Sequence, residues 1–146
     1  MKKMITILIL IPVLLLSGCL NPTVVSLVEK AYEAALVEND ALVETFFAEE
    51  YLAEHPLEEL SDEMAEDVRN RAGVKLMNIK EHREDHLDSE VVEKLNEAYD
   101  GEWYFVAAQT DDETIMTWVV QRGEYQYYIV DGEKVDVDTY LEDILK

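Results

Sequence analysis

The chain has 146 residues, of which 33 are acidic and 12 basic, giving a formal net charge of −21. A field of that sign repels a phosphate backbone, so nucleic acid is excluded as a partner. A single cysteine excludes an intramolecular disulfide, and the length suits one domain with one core.

The first 18 residues have the three parts of a secretory signal: Lys2 and Lys3, the apolar run Ile5 to Leu16, and the small residues Ser17 and Gly18. A membrane-spanning helix needs roughly 20 apolar residues, whereas this run is shorter and is interrupted by Pro12. Leu16-Ser17-Gly18-Cys19 resembles the lipobox of bacterial prolipoproteins. That resemblance implies cleavage before Cys19, a diacylglycerol on its thiol, and residence on the extracytoplasmic face of the cell membrane. Two or more acyl chains anchor durably, since each buried methylene contributes about 0.8 kcal/mol. The expected organisation is a signal peptide over 1–18, a lipidated terminus and linker over 19–22, and one extracytoplasmic domain over 23–146. Without the leader the balance becomes 10 basic against 33 acidic residues, about −23. Only Leu20, Asn21 and Pro22 separate the lipid from the first predicted helix, so the domain is expected close to the bilayer.

Val24, Val28, Ala31, Tyr32 and Ala35 fall on one face of a helix, with Asn21 or Thr23 as cap and Pro22 at its first position. Glu38-Asn39-Asp40 reads as a turn, and Asp40 as the cap of a second helix that turns Leu42, Val43, Phe46 and Phe47 inward. Pro56 disfavours a helical His55 and marks a break. Ser61, followed by Asp62 and Glu63, signals the start of another helix. Met64, Ala65, Val68 and Ala72 form its apolar stripe, and Gly73 is placed to end it in a left-handed conformation. A first strand is expected over Val74 to Ile79, then a loop or frayed helix over 81–88, then a helix over 89–99.

Trp103 to Gln109, Thr114 to Arg122 and Glu124 to Val130 read as an antiparallel meander, with turns at Thr110 to Glu113 and at Gly123. Its alternation is apolar on both sides, so both faces require cover: the helices supply one, and the chain itself, a partner or a pocket supplies the other. Asp131-Gly132 reads as a turn, and Asp138 as the cap of a short C-terminal helix.

The expected fold class is therefore α+β, with N-terminal helices packed on a curved antiparallel sheet. Helices first and sheet last resembles the cystatin-like cone of the nuclear transport factor 2-like superfamily. Its secreted lipoproteins are similar in the acidic turn at Asn39-Asp40, the strand opening at Gly73-Val74, and the aromatic terminal strands at Trp103 and Trp118. That superfamily hosts enzymes, small-molecule binders and structural modules, so the likeness does not fix a function.

Candidate chemistry is sparse. His82 and His86 stand four apart, with Glu81 and Asp85 beside them, but Arg83 occupies the place where a zinc protease carries its catalytic Glu. No metal site is assigned; the pair is the best candidate. The acids at 111–113 and 131–138 lack the calcium-loop spacing and read as turn residues. The serines have no nucleophile-elbow setting, and no cofactor motif is present. Trp103, Phe105, Trp118, Tyr125 and Tyr127, with Tyr128, remain as cross-strand pairs or as a face for an apolar ligand or a partner protein. The resulting expectation is a non-catalytic binding or interaction module on a lipid anchor. The alternative is a small-molecule, metal-binding or enzymatic domain that uses the sheet cavity. A cavity with convergent polar groups favours the alternative; a filled cone with an exposed aromatic edge favours the module.

Overall fold

The structure is a computed structural model that describes residues 21–146; the leader, Leu16, Ser17, Gly18 and Cys19 lie outside the described residues. The chain folds as α+β, with helices on an antiparallel sheet and a short helix at the C-terminus. Helix α1 spans Pro22–Leu36, capped by the Asn21 side chain, which accepts from the Thr23 amide. It ends in a Schellman motif: the Asn39 amide reaches the Ala34 carbonyl and the Glu38 amide the Ala35 carbonyl, with Glu38 at φ 57°.

Two short helices follow, α2 (Asp40–Glu44) and α3 (Glu49–Glu54), where one was expected. Asn39 rather than Asp40 caps α2 through the Leu42 amide, because the Asp40 carboxylate is engaged by the Ser61 hydroxyl. Leu42 is exposed, while Val43 and Phe47 are buried. The break at His55-Pro56 stands, but helix α4 starts directly after it and runs Leu57–Asn70. Ser61 is thus a buried interior residue of α4, not its start. Pro56 has no N–H to leave unpaired, and Glu58 and Glu59 supply the acidic first turn.

At the end of α4 the left-handed residue is Ala72, φ 61°, with Gly73 one place later at φ 136°. Val74–Met77 is a 3-10 turn, not a strand; strand β1 is the short edge Lys80–His82. Helix α5 (Ser89–Ala98), capped by Asp88, separates β1 from β2 (Trp103–Gln109). Strand β3 (Thr114–Arg122) matches its expected bounds. Strand β4 is longer than expected, Tyr127–Asp136, and runs through Asp131-Gly132 without turning. A register irregularity opposite Val119/Val120 accommodates the extra residue. Gly132 is required there because a Cβ would collide with the Trp118 ring. Asp136, not Asp138, caps α6 (Val137–Thr139), which widens into a π-helical turn at Tyr140–Ile144, closed by the Leu145 amide on the Tyr140 carbonyl.

The sheet order is β1-β2-β3-β4, all antiparallel. Its two faces split as the alternation requires. Val106, Ala108, Met116, Trp118, Val120 and Ile129 face the main core with α1 and α4. Phe105, Ala107, Ile115 and Val119 face the other side. That second face is covered by the chain's own α5 and C-terminal segment, which is tied to 86–88 by Asp88 amide to Ile144 carbonyl and Lys146 amide to His86 carbonyl.

Candidate functional site

The aromatic residues singled out in the sequence do not share one face. Trp118 is 1% exposed in the main core, its indole N–H donating to the Tyr32 hydroxyl at 3.2 Å. Phe105 is buried beneath α5, and Trp103 beside it donates to Asn96 on that helix at 2.9 Å. Tyr128 is half-buried opposite Gln121. Tyr125, 88% exposed, and the half-buried Tyr127 border an open groove at the N-terminal end of α1.

His82 and His86 are not brought together as a helical pair: His82 is on β1 and His86 on a 3-10 turn. The His82 ring is half-buried against Phe105 and Tyr140, and its Nε2 hydrogen-bonds the Tyr140 hydroxyl. Burial, with help from the Lys80 and His86 charges, pushes His82 down to about 4, so the neutral ring accepts from Tyr140. Among the described residues no group of three or more His, Cys, Asp or Glu is arranged to hold a metal ion. No helix among them is long and apolar enough to cross a membrane.

The best-formed cavity lies elsewhere, between α3, α4 and the sheet. It is a cleft of about 150 Å³ walled by Tyr51, His55, Leu60 and Met64 and floored by Met116 and Trp118. Its depth is set by the stripe Leu60, Met64 and Asp67, spaced four and three apart on α4 so that all three project toward the sheet. Asp67 is 6% exposed, and Lys134 on β4 donates to its carboxylate at 2.9 Å. Burial raises the Asp67 carboxyl above the usual range, and the Lys134 ammonium pulls against that rise. Three further carboxylates, Glu54, Glu59 and Glu63, line the mouth. Electrostatically this is an acidic opening over an apolar floor, with one cation already seated.

Both faces of Tyr51 and one face of Trp118 are taken. Tyr51 is stacked between Phe47 at 5.5 Å and His55 at 4.0 Å, and Gly132 lies against the Trp118 ring. Burial also pushes the Tyr51 hydroxyl up to about 12, so it stays a neutral group. His55 Nδ1 is hydrogen-bonded to its own helix, at the Tyr51 carbonyl. No serine or cysteine lines the cleft, so it holds carboxylates and an imidazole but no nucleophile–base pair.

Of the cleft residues only Trp118 stood out in the sequence, and there as part of a strand face rather than as the floor of a helix–sheet cleft. One signal was present: an Asp inside the apolar stripe of α4, where a charge is tolerated only if something neutralises it. Its partner, Lys134, is 67 residues away and visible only in the fold. No family model matches the chain, and no curated protein or solved structure matches it either.

Proposed function

We propose that the chain is a lipid-anchored, extracytoplasmic binding module that holds a small organic cation in the cleft between α3, α4 and the sheet, without transforming it. The anchor rests on the lipobox-like Leu16-Ser17-Gly18-Cys19 and the signal-like run before it. The ligand class rests on the cleft itself. Three carboxylates open onto an apolar floor in a space smaller than the hundreds of Å³ of ordinary ligand pockets. An alkylammonium fits that chemistry, its charge near Glu59 and Glu63 and its chain over Leu60 and Met64. With both faces of Tyr51 covered, the carboxylates supply the attraction rather than cation–π contact with that ring.

The experiment is a titration with n-butylammonium chloride, read by Trp118 fluorescence in a Trp103→Phe background and compared with sodium chloride at equal ionic strength. Saturable change with the amine alone is expected, weakened about tenfold in Glu59→Gln/Glu63→Gln, a loss near 1.4 kcal/mol. Identical responses to the two salts would remove the proposal.

A second reading, an acid–base enzyme on a nuclear transport factor 2-like frame, draws on one observation: Asp67, with its raised carboxyl pKa, and His55 line the same cleft. Against it, Asp67 is committed to Lys134 and His55 to a backbone carbonyl. Chemical change in the bound amine, detected by mass, would transfer the assignment to this reading.

A further inference from the structure

Apart from the cleft, and sharing none of its lining residues, an open groove of about 680 Å³ runs between the N-terminal turns of α1 and the β3–β4 hairpin. Lys30 and Arg122 line it, and no carboxylate does, although acids outnumber basic residues almost three to one over the whole chain. The guanidinium of Arg122 sits 5.9 Å from the Tyr127 ring centre, which restrains its direction. Tyr125 projects from the hairpin tip as the most exposed large hydrophobic residue described, and Leu27 and Phe46 form the apolar bed. The hairpin also carries one acid, Glu124, exposed and outside the groove.

The chain enters the fold at this same groove. Pro22 lines it, and Asn21 is fixed there twice: its amide donates to Glu81 at 2.6 Å and its side chain to the Tyr127 hydroxyl at 2.9 Å. Cys19 is two residues earlier, and two residues reach at most about 7 Å.

From this coincidence we infer that the groove with its Lys30, Arg122 and Tyr125 rim is the membrane-facing surface of the protein, which receives phospholipid headgroups of the bilayer that holds Cys19. The inference rests on the lipid anchor put forward above. Arg122 suits a phosphate diester by its planar fork, Lys30 adds a point charge, and a tyrosine belongs at headgroup depth with its ring apolar and its hydroxyl wet. A domain of such negative charge is repelled by anionic lipid over its acidic faces, so a groove lined by Lys30 and Arg122 and by no carboxylate is a face that can approach.

The test uses the full chain as purified from bacterial membranes, reconstituted with phosphatidylcholine vesicles, with and without phosphatidylglycerol. Because a lipidated Cys19 has no free thiol, a fluorophore can be placed on one new cysteine, either Tyr125→Cys or, at the far end of β3, Glu113→Cys. Quenching by headgroup-labelled lipid is expected to be severalfold stronger at 125 than at 113. It should rise with phosphatidylglycerol and fall when Lys30→Glu and Arg122→Glu are added. Equal quenching at both positions, or no response to the charge reversal, would overturn the assigned face. Vesicle flotation separates the two ideas: a chain that does not float overturns the anchor and the face together, and a floating chain with equal quenching overturns the face alone.

Discussion

Side chain by side chain, the residues that shape this protein are polar groups forced into apolar surroundings, each with a single partner. Asp67 has Lys134, Ser61 has Asp40, Trp118 has Tyr32, and His82 has Tyr140. Among the described residues no buried side-chain nitrogen or oxygen lacks a partner. His82 makes this measurable. In the folded state its ring stays neutral down to about 4, whereas the unfolded ring takes up a proton near 6.5. Its contribution to stability is therefore complete above about 6.5 and is lost as the pH falls from there toward 4. Between about pH 7 and pH 4.5, the wild type should lose of order 1 kcal/mol more than His82→Gln, the half-exposed setting discounting the full shift. Urea midpoints at the two pH values check this, and equal losses in both proteins would contradict it.

Between the elements, sequence and structure agree where a local signal is enough and part where a distant contact decides. The Asn21-Pro22 start of α1 and the bounds of β2 and β3 follow from capping chemistry and from β-branched and aromatic runs. Ser61 misleads because its hydroxyl bonds Asp40, 21 residues away, instead of capping its own helix. Asp131-Gly132 misleads because a turn dipeptide is also what lets β4 pass over Trp118. Gly73 misleads by one position, since the closing bonds of α4 place the left-handed residue at Ala72. A left-handed alanine is strained, so Ala72→Gly should stabilise the protein by about 1 kcal/mol, read as a higher denaturation midpoint. An unchanged or lower midpoint would mean that this turn is not formed as described. Helix α5 is the opposite case: its position was legible, but it buries no residue fully and meets the second face through half-buried Val92 and Leu95 and the Trp103–Asn96 hydrogen bond. Its amides should exchange with deuterium well before those of α1 and α4, and protection equal to theirs would refute its loose attachment.

Over the whole molecule the charge is strongly negative, 33 acidic against 12 basic residues. On the anchor proposed above, anionic lipid would repel most of that surface. The cleft itself could not be read from the sequence, because its helical walls, Tyr51 to Asp67, and its floor, Met116 and Trp118, come from segments about 50 residues apart that only the fold unites. The leader-like run and the lipobox-like tetrapeptide are the reverse: they are read from sequence alone and lie outside the described residues. Both proposals for this protein depend on the sulfur of Cys19 carrying lipid. Intact mass of the protein, extracted by detergent from bacterial membranes, measures that directly. The expected result is a chain that begins at Cys19 and is heavier by a diacylglycerol; a chain that still carries residues 1–18, or a bare thiol at Cys19, would contradict it.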